Sequence, residues 1–328
     1  MNTRIHDLPS EIGAAAMPLD KAPQCSGKAR VNIVALGDVG TTMLIGLLLA
    51  GSDVIQSIGM CDINEKNLAR LEMEMNQIRY PFAGLSGCSD PVLPPVGIVG
   101  EEAVFDCDVF IFCASKGVPP IGAGGDVRMA QLEANRGLVR HYALLAREAK
   151  FKGQVCVVSD PVDPLCRAFL DVSGLHPSQI QGYGLGVMHA RACYYAQKEP
   201  RFRRYLTEGR AFGPHGADLI IADSLTDYDD GLSRELTKRV VTANLAVRNL
   251  GYKPYIAPAL SSAALSIILT LRGQWHYGSV YLGEAGKGAF FGVKNCVAGG
   301  RVTYEDAAAC PQLYERWLQA YTALCRLV

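Results

Sequence analysis

Histidine, arginine and carboxylate side chains stand in four short motifs of this 328-residue chain. A histidine near its ordinary pKa can exchange a proton at neutral pH. An arginine presents a planar pair of donors that matches a carboxylate. The motifs are Arg128 with Asn135 seven residues later, Ser159-Asp160-Pro161-Val162-Asp163, Gly182-Tyr183-Gly184 followed by Arg191, and Gly213-Pro214-His215-Gly216.

A fifth motif is a glycine-rich turn, Ala35-Leu36-Gly37-Asp38-Val39-Gly40, after the first apolar run. The dinucleotide-binding fingerprint has three glycines, and here the first is replaced by Ala35 while Gly37 and Gly40 are kept. Asp62 lies 22 residues beyond Gly40 and ends the second apolar run. A carboxylate at that place accepts the ribose hydroxyls and repels a 2′-phosphate. These features predict a dinucleotide site that prefers NAD to NADP.

The elements that must position these residues alternate between apolar strands and helices. Strands that are apolar throughout are typical of a parallel sheet covered on both faces, and such sheets bind ligands beyond the carboxyl ends of their strands. The pattern therefore predicts an α/β fold with a doubly wound parallel sheet. Strands are predicted at 31–36, 54–62, 108–114, 154–160 and 180–187, and helices at 37–51, 64–78, 127–150, 189–206, 232–250 and 304–326.

In the order and spacing of all five motifs, residues 30–301 resemble the lactate/malate dehydrogenase family. The resemblance implies a Rossmann-type domain followed by a mixed α/β substrate-binding domain. It implies hydride transfer between NAD(H) and a small 2-hydroxy or 2-oxo carboxylic acid, in a homodimer or homotetramer. We place the two domains at 30–175 and 176–328, and interpret 1–29 as an N-terminal arm, either loose or packed on a neighbouring subunit.

The resemblance also implies roles for single residues. His215 is similar to the family's catalytic acid–base, and Arg191 to the arginine that clamps the substrate carboxylate. Arg128 is similar to the loop arginine that polarises the substrate carbonyl, and Asn135 to the substrate-binding asparagine that follows it. The resemblance implies cofactor contacts at Gly37, Asp38, Val39, Gly40, Asp62, Ile63, Ala114, Ser115 and Ser159.

Two departures from the family pattern change the site itself. The family holds its histidine with an aspartate three residues before the carboxylate-binding arginine, and Met188 stands there. The family's Ser-Asn-Pro-Val-Asp has Asp160 in place of the asparagine. Asp160 could have become the partner of His215, could face a cationic substrate such as an amine or iminium, or could be a symptom of a decayed site. The sequence leaves these three interpretations open.

Two further departures lie beside the site. The loop between Cys113 and Arg128 is longer than in the family and contains Gly122, Gly124 and Gly125. The segment around Lys253-Pro254-Tyr255 lacks the family's Gly-Tyr-Thr sequence, which predicts a reshaped border of the substrate site. The function hypotheses are therefore an NAD-dependent dehydrogenase with Asp160 in its catalytic machinery, an NAD-binding sensor or interaction protein with little or no activity, and a dehydrogenase acting on an imine or amino acid.

Composition limits the partners of the protein. Lys plus Arg and Asp plus Glu both number 32, so no basic excess favours nucleic acid. No apolar run approaches the roughly 20 residues of a membrane-spanning helix. The eleven cysteines form no metal-binding pair pattern, and several lie in apolar runs. We therefore expect no metal, no membrane and no nucleic-acid partner, with the protein in the reducing cytoplasm.

Overall fold

The computed structural model describes residues 3–116, 127–216 and 218–327, without the side chains of residues 127–130. Most of the glycine-containing loop, with Gly122, Gly124 and Gly125, lies outside the described residues. So does the side chain of Arg128, although its backbone belongs to a described helix. The predictions made for this loop and for the Arg128 side chain therefore stay predictions.

Six parallel strands form the sheet that the sequence predicted. They pair in the order β3-β2-β1-β4-β5-β6, which is the strand order of doubly wound dinucleotide-binding sheets. The doubly wound α/β prediction is thus confirmed. The strands are β1 (Ala29–Val34), β2 (Ile55–Cys61), β3 (Val96–Ile98), β4 (Val109–Phe112), β5 (Gln154–Val157) and β6 (Ile180–Gly182).

The same sheet continues beyond β6 through three antiparallel strands that the sequence analysis did not predict. β9 pairs with β6 at Gly182 and Ser279, and β10 and β11 follow. The turn between β10 and β11 contains Gly299 and Gly300, both with positive φ, which is a recognised hairpin signal. The remaining strands are β7 (Arg210–Phe212) and β8 (Ile220–Ala222), which form a separate pair, and β9 (His276–Glu284), β10 (Lys287–Ala298) and β11 (Arg301–Tyr304).

Helices cover both faces of the sheet. α2, α3 and α9 share one apolar core with the first strands, and α4, α5 and α10 share the other. The prediction of a strand over 180–187 was wrong beyond Gly182, because Gly184 ends the extended backbone and a helix begins at Leu185. The helices are α1 (Leu8–Glu11), α2 (Asp38–Ala50), α3 (Glu65–Asn76), α4 (Val127–Glu148), α5 (Val162–Ser173), α6 (Leu185–Lys198), α7 (Tyr205–Glu208), α8 (Asp230–Asn249), α9 (Leu265–Leu271, after a π-helical turn at Pro258–Ala264) and α10 (Pro311–Arg326).

The N-terminal arm packs on its own chain, which differs from the expected loose or neighbour-bound arm. Ile5 and Leu8 are fully buried in the core that contains α10. Farther along, the backbone of Val302 donates to Leu19, so the arm lies along the outer edge of β11. An unpaired strand edge is a template for aggregation, and the arm covers this one.

Three further features of the described residues concern their helices, their cysteines and their possible metal ligands. None of the helices there is both long and apolar enough to cross a membrane. The cysteines in this part are all free thiols. Within the same ranges, no cluster of three or more histidine, cysteine or acidic side chains could hold a metal ion.

Candidate active site

The glycine-rich turn connects β1 to α2 at the carboxyl edge of the sheet. Ala35, in the place of the first fingerprint glycine, adopts a positive φ of 72°. A Cβ at Gly40 would lie 2.1 Å from the Ala35 carbonyl oxygen, so only glycine fits there. A Cβ at Gly37 would meet nothing within 4 Å, which leaves open space over the turn. The turn has the tight packing and the open approach that a bound pyrophosphate requires.

Asp62 is fixed beside this turn by two backbone amides. Its Oδ2 accepts a hydrogen bond from the Leu36 amide at 2.5 Å, and its Oδ1 accepts one from the Asn64 amide at 2.8 Å. The next side chain, Ile63, is fully exposed. A fixed carboxylate beside an exposed apolar side chain suits the ribose and base of an adenosine group. These residues fit the dinucleotide that the sequence predicted.

The ends of β4 and β5 are tied together next to the turn. Ser159 is buried, and its Oγ donates to the Ala114 carbonyl at 2.7 Å. Ala114 is also buried, whereas the following Ser115 is exposed. Of the three predicted cofactor contacts here, only Ser115 presents its side chain to solvent, and Ser159 acts on the backbone of the neighbouring strand.

Asp160 and His215 form a pair between two loops. His215 comes from the loop between β7 and β8, and Asp160 follows β5. The His215 Nδ1 lies 2.8 Å from the Asp160 Oδ1. The Asp160 side chain is 47 % exposed and that of His215 17 % exposed, so the pair is within reach of solvent. The second ring nitrogen of His215, Nε2, has no hydrogen-bond partner in the described part of the chain.

Asn135 lies behind this pair and is fully buried. Its Nδ2 donates to the Asp160 carbonyl at 2.8 Å, and its Oδ1 accepts from the Lys116 amide at 3.0 Å. The Asn135 side chain therefore links the backbone of Asp160, after β5, to the backbone of Lys116, after β4. In this arrangement Asn135 positions the backbone of Asp160.

Arg191 projects from α6 and is partly buried. Its Nη1 lies 3.6 Å from the Met188 sulfur and 3.5 Å from the Val240 carbonyl oxygen. Burial lowers the pKa of the guanidinium, and the nearby Tyr195 and Asp160 raise it. Among the residues the structure describes, no carboxylate forms an ion pair with Arg191. A desolvated arginine in this state is suited to an anionic ligand.

Asp163 lies beneath the Asp160–His215 pair, at the start of α5, and is 3 % exposed. Its Oδ1 accepts a hydrogen bond from the Ser279 hydroxyl. Burial raises the pKa of Asp163 to about 6, although the Ser279 hydroxyl and the nearby His215 favour its charged form. Sequence reasoning missed Ser279, because it lies 116 residues away on the unpredicted strand β9.

The structure thus brings together most of the residues that the motifs nominated. His215, Asp160 and Asn135 are linked by direct hydrogen bonds, and Asp160 acts on the charge of Arg191. The sheet order and the glycine-rich turn define a protein with the fold of a dinucleotide-binding dehydrogenase.

Comparisons with known proteins show which sequences and structures the chain is similar to. No protein-family model matches the chain. It is 30 % identical over 199 residues to the L-lactate dehydrogenase of Treponema denticola, a match that covers 61 % of this chain and 58 % of that enzyme. It is 26 % identical over 273 residues to the malate dehydrogenase of Parabacteroides distasonis, covering 79 % and 83 % of the two chains.

The fold agrees with these sequence matches. The solved malate dehydrogenase of Archaeoglobus fulgidus in complex with NADH superposes with a TM-score of 0.70 at 18 % identity, covering 91 % of this chain and 98 % of that one. These matches in sequence and fold support a divergent relationship to the lactate/malate dehydrogenase family. It aligns with less than two thirds of the length of the Treponema enzyme.

Proposed function

We propose that the protein is an NAD-dependent oxidoreductase that interconverts small 2-hydroxy and 2-oxo carboxylic acids. The observation that carries the proposal is the 2.8 Å contact between His215 Nδ1 and Asp160 Oδ1, near the partly buried Arg191, which forms no ion pair within the described residues. The lactate and malate dehydrogenases among its relatives support the same chemistry. The solved relative in complex with NADH supports the cofactor.

Cofactor binding, substrate binding and proton transfer are assigned to different residues. Gly37, Gly40 and Asp62 hold the dinucleotide, which when bound supplies the hydride that the substrate carbon receives. Arg191 binds the substrate carboxylate through its guanidinium and sets the orientation of the molecule. His215 donates a proton from Nε2 to the substrate oxygen during reduction and takes it back during oxidation.

Asp160 takes the role of the aspartate that the family has at the position of Met188. With its carboxylate on Nδ1, it keeps the proton of His215 on that nitrogen and leaves Nε2 to exchange protons. It also stabilises the imidazolium cation by its charge. Of the three interpretations of Asp160 that the sequence left open, this geometry favours the partner of His215.

The direct experiment is NADH oxidation by the purified protein with a panel of 2-oxo acids, each with and without ammonium. Turnover without ammonium is expected. Turnover only with ammonium would instead make Asp160 a partner of a cationic substrate. NADH binding with no turnover on any acid would favour the non-catalytic sensor.

Variants test the assigned roles. His215→Asn should lower kcat by about 10²–10⁴-fold with NADH affinity unchanged, since the proton donor is lost. Asp160→Asn should lower kcat by roughly 10–100-fold, the value of one charge-assisted hydrogen bond. His141→Asn is the matched control, because His141 is an exposed histidine paired with Glu101 on the protein surface. Equal turnover in the wild type and in all three variants would show that His215 and Asp160 take no part in the mechanism.

Self-association and location complete the proposal. We expect a homodimer or homotetramer, which light scattering of the purified protein measures directly. The free thiols among the described residues support a reducing compartment such as the cytoplasm.

A further inference from the structure

An ion pair joins the glycine-rich turn after β1 to the second half of the chain. Lys253 Nζ lies 2.8 Å from Asp38 Oδ2, across 215 residues of sequence. Asp38 is the first residue of α2 and directly follows Gly37. Lys253 lies in the segment between α8 and the π-helical turn, where the chain departs from the family's sequence.

The Asp38 carboxylate of this pair lies at a place that would otherwise attract phosphate. The N-terminus of a helix attracts phosphate because its amides carry partial positive charge. A carboxylate at the first residue of α2 occupies that field and repels an incoming pyrophosphate. The Lys253 ammonium offsets part of this repulsion, and its contact with Asp38 raises the pKa of the ammonium further, so it stays charged at neutral pH.

The lysine is also free to change partner. Its side chain is 77 % exposed and that of Asp38 is 50 % exposed, so the pair is hydrated and weak. A lysine side chain is a flexible point charge with three donors, and it can turn from one anion to another nearby. A pyrophosphate above Gly37 would present several anionic oxygens at the same turn.

We infer that Lys253 is a phosphate contact of the dinucleotide, contributed by the second half of the chain and held by Asp38 until the cofactor binds. The inference rests on the proposed NAD site and adds to it a residue from outside the Rossmann half. It also gives the unusual Lys253-Pro254-Tyr255 segment a role in cofactor affinity.

Binding titrations of the protein test this contact without turnover. Lys253→Met should weaken NADH and ADP-ribose roughly tenfold, the value of a hydrogen bond to a charged group, and should leave adenosine binding unchanged. The same variant should show a smaller loss of NADH affinity as salt rises. Asp38→Asn should bind NADH at least as tightly as the wild type, because the repulsion is gone.

Lys28→Met is the matched control, since Lys28 is an exposed lysine that donates to the Ser52 carbonyl away from the turn. Wild-type affinity of Lys253→Met for both NADH and ADP-ribose would overturn the inference and leave a plain surface ion pair. Equal weakening of adenosine would also overturn it, because the effect would not come from phosphate. Failure of the wild type to bind NADH at all would instead overturn the proposed function.

Discussion

Asp163 is a buried carboxylate directly beneath the proposed catalytic pair. It takes no part in the proton transfer assigned to His215, yet it is placed where its charge acts on that histidine. Its folded-state pKa of about 6 lies above the ordinary value of 3.8. The folded protein therefore binds a proton at Asp163 more tightly than the unfolded chain does.

The sign of the resulting pH dependence follows from this difference. Between about pH 4 and pH 6 the folded state keeps the proton while the unfolded state releases it, so the contribution of Asp163 to stability falls as pH rises through this window. Asp163→Asn removes the titration and keeps an acceptor for the Ser279 hydroxyl. We expect the variant to gain stability relative to wild type between pH 4.5 and pH 7.5.

Urea unfolding of both proteins at the two pH values measures this change. Ser279→Ala serves as the control for the loss of the hydrogen bond without the loss of the charge. A stability difference between Asp163→Asn and wild type that is the same at both pH values would show that Asp163 does not titrate as described.

The turn from β1 to α2 makes different demands on its two glycines. Gly40→Ala places a methyl group against the Ala35 carbonyl and should lower the free energy of unfolding by about 1–3 kcal/mol. Gly37→Ala has open space and should change stability by less than about 0.5 kcal/mol. It should nevertheless weaken NADH, because the methyl group occupies the approach to the phosphates.

Urea unfolding and NADH fluorescence titration separate the two effects. If Gly37→Ala lost both NADH binding and folding stability, the result would contradict the open space above the turn. A Gly40→Ala protein as stable as wild type would contradict the close approach of the two peptides.

The N-terminal arm contributes to stability through its buried apolar residues, among them Ile5 and Leu8. Ile5→Ala should lower the free energy of unfolding by about 2–5 kcal/mol, because Ile5 is fully buried against the α10 core. Ile63→Ala, at a fully exposed position, should change it by less than about 0.5 kcal/mol. An Ile5→Ala protein as stable as wild type would show that the arm is loose in solution.

The parallel elements were predictable because each one carries its own local signal. The apolar runs at β1, β4 and β5 and the glycine turn after β1 can be read without knowledge of the rest of the chain. The strands β9–β11 were not predicted, although Gly299 and Gly300 mark the turn between two of them. The contact of Ser279 with Asp163 depends on the pairing of β9 with β6, which no local pattern encodes.

In the candidate active site too, residue types were predictable from local sequence and contacts between distant segments were not. The motifs nominated His215, Asp160 and Arg191, and their chemistry was apparent from residue type. That Asp160 contacts Nδ1 of His215 depends on two loops that meet only in the folded protein. The ion pair between Asp38 and Lys253 has the same origin, since its members lie 215 residues apart.

At the scale of the whole molecule, cofactor binding should stabilise the fold. NADH at a concentration of 100 Kd should raise the free energy of unfolding by about 2.7 kcal/mol, because only the folded state binds it. NADPH at the same concentration should give a much smaller increase, since Asp62 repels a 2′-phosphate. Thermal unfolding with each dinucleotide measures both effects, and equal stabilisation would contradict the role of Asp62.

The central sheet crosses the predicted domain boundary at 175/176. The strand β6 lies beyond this boundary and still pairs in parallel with β5. Its other edge is covered by β9, and β10 and β11 extend the sheet from there. The first parallel half and the later antiparallel half are therefore one hydrogen-bonded structure, and the boundary itself stays a prediction.

This continuity has a consequence for synthesis of the chain on the ribosome. The six parallel strands are complete once Gly182 has emerged, but the strand that covers β6 begins only at His276. During the interval the nascent chain carries an open edge on an apolar, two-sided sheet, the kind of edge that pairs with other chains. The N-terminal arm remains without its partner for longer still, because the edge of β11 that it covers is synthesised only at Arg301–Tyr304. Nascent chains stalled between the emergence of Gly182 and that of His276 should recruit chaperones, and chains extended beyond Tyr304 should not.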